Sequence, residues 1–226
     1  GTFAEIGAGQ EVARFFFQAG GANGTIAKSI SAYDMAYSKA MYGDCKRFVC
    51  EDRLNQMVDA EYDMLIKTIG PVRTQETTYF SFANTVAAKS YSYNRDFHGW
   101  LGIKYQQYMG ATPSKINIHI RMLDDDRLSQ AQALGIVGVN LIYAAFYLKD
   151  NPAEIVKSLT ENIGNHKIEV DYIRFEGIGF ENVDNRIMCL ELVRNKLTNA
   201  VMFDPKLGIV QPSEALYKKS VLVQRG

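Results

Sequence analysis

The sequence has few cysteines and no arrangement of them that points to a specialised class of protein. Its 226 residues include three, at Cys45, Cys50 and Cys189. An odd number in a chain too large to need disulfide staples indicates a reducing compartment. We therefore expect a soluble protein in the cytoplasm, with an organelle matrix as the alternative if a targeting segment is missing.

An excess of charge of either sign is also lacking. Lysine plus arginine and aspartate plus glutamate number 25 each, so the formal net charge is zero. This balance removes the overall positive charge that is typical of nucleic-acid-binding proteins, and a nucleic-acid partner is not expected. Near-zero charge also weakens repulsion between copies of the chain. A homo-oligomer, or a subunit of a larger assembly, is therefore the expected state.

A long uninterrupted apolar run is the third absence, because a membrane span needs about 20 predominantly apolar residues. The longest apolar stretch, residues 131–148, is broken by Gln132, Gly135, Gly138 and Asn140. We expect a buried core helix there and no membrane span. The chain begins inside an apparent strand and ends just after one. Both ends are therefore expected to be cut ends of a longer protein.

Hydrophobic periodicity predicts an α/β fold in a single domain over residues 1–226, with a mixed or mostly parallel sheet and helices packed on it. Strands are predicted at residues 2–6, 77–84, 99–105, 115–123, 168–175, 200–203 and 221–223. Helices are predicted at residues 10–19, 25–41, 51–69, 128–148, 152–163, 185–197 and 212–218.

The order of these elements indicates an internal duplication of a β-α-α-β unit, with halves at residues 1–112 and 113–226. Gly21-Ala22-Asn23 and Gly138-Val139-Asn140 mark equivalent positions in the two halves. A buried amide left without a partner costs about 1–3 kcal/mol. We therefore expect Asn23 and Asn140 to pair with each other across a pseudo-twofold axis, with a ligand contact as the alternative.

A glycine turn, Gly7-Ala8-Gly9, links the first predicted strand to the helix that Gln10 begins. Backbone N–H groups in this context can hold a phosphate at the helix N-terminus. The turn departs from the dinucleotide fingerprint, because Val12 replaces its third glycine and Asp34, the nearest acidic candidate, lies in a predicted helix. Glu11 in the first helical turn would also repel an anion. A purely structural turn is the competing interpretation.

Two acidic positions follow predicted strands, where open α/β sheets place their ligands. Asp124 opens an Asp-Asp-Asp run after the strand at 115–123, and Asp204 ends the strand at 200–203. The run could hold magnesium or a ribose, or simply cap the next helix. If the strands are parallel neighbours, these residues and the glycine turn line one crevice. The predicted ligand-binding residues are Gly7, Gly9, Gln10, Asp124 and Asp204.

Neither a metal site nor a catalytic residue can be assigned from the sequence. His98, His119 and His166 are too scattered to suggest a zinc site, and Cys45-x4-Cys50 lacks a second pair. The Gly-x-Ser-x-Gly and Gly-x4-Gly-Lys motifs of hydrolases and phosphate-binding loops are absent. Any cofactor is therefore unknown, and a nucleotide is the class that the glycine turn suggests.

Four sequence runs, spread over nearly the whole chain, resemble a poorly characterised protein family. They lie at residues 9–14, 30–35, 132–140 and 214–219. Its members often carry one of two automatic labels, TonB-dependent receptor or nicotinamide mononucleotide adenylyltransferase. The first would imply many strands of about ten residues, whereas this chain is rich in helical patterns. The second would imply a His-x-Gly-His motif, of which only His98-Gly99 occurs, so the resemblance supplies no catalytic residues.

The function that these observations favour is binding of, or group transfer on, a nucleotide or other small phosphorylated ligand at the carboxyl ends of the strands. The alternative is a non-catalytic structural or assembly subunit, which the neutral charge, the 13 tyrosines and the missing catalytic motifs favour. RNA binding is a third hypothesis that the charge balance disfavours.

Overall fold

A six-stranded mixed sheet forms the centre of the protein in the computed structural model, which describes residues 1–73, 76–89 and 97–211. The spatial order of its strands is β2-β1-β3-β4-β5-β6. β1 pairs in parallel with β2 and β3, and the other three pairings are antiparallel. The predicted α/β fold is confirmed. The strands are β1 (Thr2–Ile6), β2 (Lys28–Ser31), β3 (Phe80–Ala87), β4 (His98–Tyr105), β5 (Ser114–Met122) and β6 (Ile168–Glu176).

Helices cover both faces of this sheet. Side chains alternate along each strand, so Phe3 and Phe82 enter one hydrophobic cluster and Ala4 and Ala83 enter the other. The first cluster includes residues of α1, α4, α5 and α6, and the second includes residues of α2 and α3; we name these the α4 face and the α3 face. The helices are α1 (Gln10–Ala19), α2 (Met35–Tyr42), α3 (Glu51–Ile69), α4 (Arg127–Tyr147), α5 (Pro152–Ser158) and α6 (Asn185–Arg194).

Four strands, β1, β2, β3 and β5, run in the same direction. β1 is parallel to its neighbours β2 and β3, and β3 and β5 are each antiparallel to β4, which lies between them. Their carboxyl ends therefore lie along a single edge of the sheet, which we name the carboxyl edge. This is the edge at which ligands bind in open α/β sheets.

The apolar helix α4 packs on the sheet as predicted for a core helix. Its 21 residues would allow it to cross a membrane by length and composition alone, yet Leu134, Val137 and Leu141 are fully buried in the cluster on the α4 face. α1 crosses α4 closely, since a Cβ added to Gly138 would lie 2.4 Å from Val12 Cγ2. Val12, which replaces the third glycine of the dinucleotide fingerprint, thus packs against Gly138 of α4.

The helix predicted at residues 25–41 is wrong. A 3₁₀ turn at Ala22–Gly24 is followed by the edge strand β2, and α2 begins only at Met35. Ile26 packs against the cluster on the α4 face and Ile30 against that on the α3 face, so the two side chains are not on one stripe. Tyr33 is 65% exposed. The residues that recur at helical spacing therefore do not lie on one face of a helix.

The predicted internal duplication is not seen. Asn140 Nδ2 donates to the carbonyls of Leu159 and Glu161 at 3.1 and 2.8 Å, whereas Asn23 is exposed in the 3₁₀ turn. The predicted asparagine pair is therefore wrong. The chain also adds β2 within the first half, and β1 and β3 are parallel where the corresponding β5 and β6 are antiparallel.

Several boundaries differ from the predicted ones. The strand predicted at 77–84 is β3, which begins and ends three residues later. The strand predicted at 200–203 shortens to β7 (Met202–Phe203) and pairs with β8 (Ile209–Val210) in a separate two-stranded sheet. The helix predicted at 152–163 ends at Ser158. The elements predicted at 212–218 and 221–223 lie outside the described residues.

Candidate functional site

A crevice of about 260 Å³ opens at the carboxyl edge between β1 and β3. The chain leaves β1 through α1 to reach β2 on one side, while β3 lies on the other side of β1. The connections that follow β1 thus lead to opposite sides of it, first to β2 and then to β3. Such a point is the topological switch point at which doubly wound folds bind ligands. The lining residues are Gly7, Ala8, Tyr33, Val86, Ala87, Ala88, Lys89 and Arg127.

The glycine turn forms one wall of the crevice and requires glycine at both of its ends. Gly7 has φ +89°, and a Cβ there would lie 2.0 Å from the carbonyl oxygen of Val86. Gly9 has φ +118°, and its Cβ would lie 2.3 Å from Asn84 Nδ2. Positive φ is strained for residues that carry a Cβ. The close packing lets the turn lie directly on β3.

The N-terminus of α1 therefore begins at the crevice without a side-chain cap. Gly9 is the N-cap residue and has no side chain to accept a hydrogen bond from the first helical turn. The first N–H groups of a helix have no partner within the helix and carry a partial positive charge. Gln10 folds back so that its Nε2 lies 3.4 Å from the carbonyl oxygen of Gly7. This end of the helix is suited to an anion.

Two cationic side chains line the crevice together with the turn. Lys89 follows β3, and its Nζ donates to the carbonyl oxygen of Asp125 at 2.7 Å. Arg127 is exposed at the first position of α4, and within the described part of the chain it has no hydrogen bond or ion pair. Glu11, which the sequence indicated would repel an anion, is instead paired with Arg14 at 2.7 Å.

Asp34 follows the second strand, where the dinucleotide fingerprint has an acidic residue and where the sequence analysis found none. It follows β2 by three residues and is adjacent to Tyr33, which lines the crevice. Its Oδ1 accepts a hydrogen bond from the N–H of Tyr37 at 2.8 Å and so caps α2. The dinucleotide-type order of strand, glycine turn, helix, strand and acidic residue is thus present, and it was missed because β2 was predicted as helix.

The structure brings together only part of the predicted ligand-binding set. Gly7, Gly9 and Gln10 lie in or beside the crevice. Asp124 is at the same edge, but β3 and β4 separate it from β1, and its Oδ2 accepts from the N–H of Lys167 at 2.9 Å. Asp204 lies in the turn between β7 and β8, where its Oδ1 accepts from the N–H groups of Lys206 and Gly208, each at 2.8 Å.

Two buried polar side chains beneath the turn were not found from the sequence. Glu5 and Asn84 are in register on β1 and β3 and point towards the α4 face, with exposures of 2% and 0%. Glu5 Oε2 accepts a hydrogen bond from Ser31 Oγ at 2.9 Å. Among the described residues, Glu5 Oε1 and both amide atoms of Asn84 have no partner. The sequence feature that could have identified them is a polar residue inside an otherwise apolar strand.

A row of three side chains lies on the α3 face near the same edge. His98 Nδ1 is 2.9 Å from His119 Nε2, and His119 Nδ1 is 2.6 Å from Asp171 Oδ1. A register shift between His119 and Ile120 accompanies the pairing of β5 with β6. The sequence showed these histidines only as scattered residues. In the described segments, no group of three or more metal-binding side chains is arranged to hold an ion.

We expect the buried carboxyl group of Glu5 to make stability depend on pH. Burial raises the pKa of Glu5 above its ordinary value, so ionisation is harder in the folded than in the unfolded protein. The resulting penalty is absent in acid and grows as pH rises through the pKa of the unfolded state. Glu5→Gln should therefore stabilise the protein more at pH 7 than at pH 4, as measured by chemical denaturation.

The matched control for this prediction is Glu161→Gln, the same change at an exposed residue. Its effect on the free energy of unfolding should be small and similar at both pH values. A Glu5→Gln effect that is equal at pH 4 and pH 7 would show that the carboxyl group is not penalised by burial.

Comparison of the chain with family models finds no match, and comparisons with curated proteins and with solved structures find no significant similarity.

Proposed function

We propose that the crevice between β1 and β3 binds a small phosphorylated ligand, a nucleotide or a compound of similar size, with its phosphate at the N-terminus of α1. The observation that carries this proposal is the presence of an uncapped helix N-terminus and two cationic side chains, Lys89 and Arg127, in one crevice. Each feature alone is common in proteins, but together they supply both directed donors and positive charge.

The electrostatics of the crevice favour an anion. The helix macrodipole places about half a positive charge at the N-terminus of α1. Lys89 and Arg127, which also line the crevice, add side-chain charge. The carboxylate of Glu11 is paired with Arg14 at 2.7 Å, and burial raises the pKa of Glu5 above its ordinary value. The N-terminus of α1, Lys89 and Arg127 therefore attract a phosphate, against the carboxylate of Asp126, whose charge interacts with Lys89.

The size of the crevice restricts the class of ligand. Its volume of about 260 Å³ is slightly below the ~300–1,000 Å³ that is usual for small-molecule pockets. A phosphate with a sugar or a small ring fits this volume better than a dinucleotide does. Tyr33, at 65% exposure, offers an aromatic face on which a base could stack, and Asp34 follows β2 where ribose-binding acidic residues lie.

Isothermal titration calorimetry with a small panel tests the proposal. The panel contains inorganic phosphate, pyrophosphate, nucleoside mono- and diphosphates, and the unphosphorylated nucleoside. We expect binding at one site per chain for at least one phosphorylated member and much weaker binding of the nucleoside. Absence of heat with every phosphorylated member at millimolar concentration would overturn the proposal.

A further inference from the structure

We infer that a proton on the buried carboxyl group of Glu5 controls phosphate binding in the crevice, so that an anion binds more tightly when Glu5 is protonated and its binding takes up a proton. The inference rests on the proposed function for its ligand. The observation that carries it is a buried carboxyl group, beside the N-terminus of α1, that has no cationic partner within the described part of the chain.

Glu5 lies close to the N-terminus of α1. It is paired in register with Asn84 of β3, and neighbouring strands are about 4.8 Å apart. The Asn84 amide is in turn in contact with Gly9, since a Cβ added to Gly9 would lie 2.3 Å from Asn84 Nδ2. The carboxyl group is therefore about 5–10 Å from the first turn of α1, where the phosphate is proposed to bind.

The carboxyl group of Glu5 has little to stabilise a negative charge. Its Oε2 accepts one hydrogen bond, from Ser31 Oγ at 2.9 Å, and its Oε1 has no partner among the described residues. A buried charge is costly unless a cation or several hydrogen bonds balance it. Burial accordingly raises the pKa of Glu5 above its ordinary value, and the hydrogen bond from Ser31 opposes this effect only in part.

The helices that pack on this part of the sheet, α1 against β1 and α4 against β3, bring no neutralising charge to it. The charged residues of α1 are Glu11 and Arg14, which pair with each other at 2.7 Å. α4 has one charged residue, Arg127, which is exposed at its first position, and Asp126 before it is also exposed. The two tyrosines of α4 lie in its last two turns.

The strands and the segments that follow them do not balance the carboxyl group either. β1 and β3 contain no other charged residue. Lys28 of β2 is paired at 2.6 Å with Glu61 of α3, on the other face of the sheet. After β2, Asp34 caps α2, and after β3, Lys89 donates to a backbone carbonyl oxygen. Accordingly, none of the groups that shift the pKa of Glu5 is charged.

A bound anion and an ionised Glu5 therefore repel each other. The ionised carboxylate would lie about 5–10 Å from the phosphate, across a buried region. At an effective dielectric constant of about 20, two unit charges at this separation change a binding constant about tenfold or more. A protonated Glu5 removes this repulsion. Because coupling between two sites is reciprocal, a bound phosphate also raises the pKa of Glu5 further.

The sign of the pH dependence follows from this repulsion. At a pH well below the pKa of Glu5 in the ligand-free protein, the carboxyl group is protonated and does not weaken binding. As pH rises through that pKa, Glu5 ionises in the free protein and the affinity for the anion falls. The fall is complete above the higher pKa that Glu5 has in the complex. Binding between these two pKa values takes up a proton.

Calorimetric titration of the wild type and Glu5→Gln with pyrophosphate, at pH 5 and pH 8, tests the inference. The ratio of the two dissociation constants cancels the ionisation of pyrophosphate itself, which is common to both proteins. We expect this ratio, wild type over variant, to be near one at pH 5 and to reach about tenfold at pH 8. Circular dichroism establishes that the variant is folded.

Glu161→Gln is the matched control, because it makes the same change at an exposed residue. Its dissociation constant should stay within about twofold of the wild-type value at both pH values. A pH-dependent ratio of the same size for Glu161→Gln would show that the effect does not arise from Glu5, and would overturn the inference.

Carbon-13 NMR of the side-chain carboxyl groups tests the same coupling in the wild type without a substitution. A sample labelled in glutamate is titrated from pH 4 to pH 8, with and without saturating pyrophosphate. The midpoint for Glu5 should move up by about one pH unit in the presence of pyrophosphate, which corresponds to tenfold coupling. This measurement decides alone if Glu5→Gln does not fold.

The outcomes distinguish this inference from the proposed ligand site. If pyrophosphate shifts the backbone amides of Ala8 and Gly9 but the affinity ratio is the same at pH 5 and pH 8, the ligand site stands and the proton linkage is overturned. An unchanged midpoint for Glu5 with pyrophosphate bound at these amides has the same meaning. If neither protein binds pyrophosphate at any pH, the proposed function is overturned, and the linkage with it.

Discussion

Replacing Gly7 with alanine is expected to lower the free energy of unfolding by about 3 kcal/mol and to abolish ligand binding. The residue has φ +89°, which costs a residue with a Cβ about 1–2 kcal/mol. The added Cβ would also lie 2.0 Å from the carbonyl oxygen of Val86, and such overpacking costs about 1–3 kcal/mol more. Val86 cannot retreat easily, because β3 is paired on both sides.

Gly21→Ala is the matched control for this change. Gly21 is in the left-handed region at φ +68° and ψ 10°, and an added Cβ would meet no atom of the described residues within 4 Å. It should cost only the backbone term of about 1–2 kcal/mol and leave ligand affinity unchanged. Urea denaturation measures both variants. Equal losses of stability would contradict the close packing of the turn on β3.

The second large effect is expected from the cations of the crevice. Lys89→Ala and Arg127→Ala should each weaken pyrophosphate binding about 10- to 100-fold, because hydrogen bonds to charged groups contribute about 1.5–3 kcal/mol. The loss should shrink as salt concentration rises, since these side chains are partly or fully exposed. Calorimetric titration at two salt concentrations measures the affinity.

Lys67→Ala separates a local contact from a general change of charge. Lys67 is exposed in the last turn of α3, two residues before Ile69, which lies near the amino end of β3 rather than at the carboxyl edge. This variant loses the same unit of charge and should change the affinity for pyrophosphate by less than about twofold. If Lys67→Ala weakens binding as much as Arg127→Ala does, the ligand does not occupy the crevice.

Much of the fold could be predicted because buried hydrophobic residues recur in the sequence with the period of the strand or helix that contains them. Ile116, Ile118 and Ile120 alternate along β5, and all three are fully buried. α3 was predicted with its observed bounds, as its buried residues recur at helical spacing. The edge strand β2 was missed because Lys28, Ser29 and Ser31 make it polar, and its residues alternate between partly buried and exposed. An edge strand leaves a weaker hydrophobic pattern.

The candidate site was predictable only where it depends on local sequence. The glycine turn could be recognised from Gly7 and Gly9, since the chemistry of a turn is set by adjacent residues. Asp34 was dismissed as a consequence of missing β2. The row of His98, His119 and Asp171 depends on strand register over separations of 21 and 52 residues, which no local pattern contains.

Mapping the bound phosphate by NMR tests the central claim most directly. In a ¹⁵N-labelled sample titrated with pyrophosphate, we predict that the largest shifts of backbone amides occur at Ala8, Gly9 and Gln10, with Lys89 next. Ala8 and Lys89 line the crevice, and Gly9 and Gln10 begin α1 beside it. Saturable shifts confined to another surface, or no shifts at millimolar pyrophosphate, would contradict the assignment of the crevice as a phosphate site.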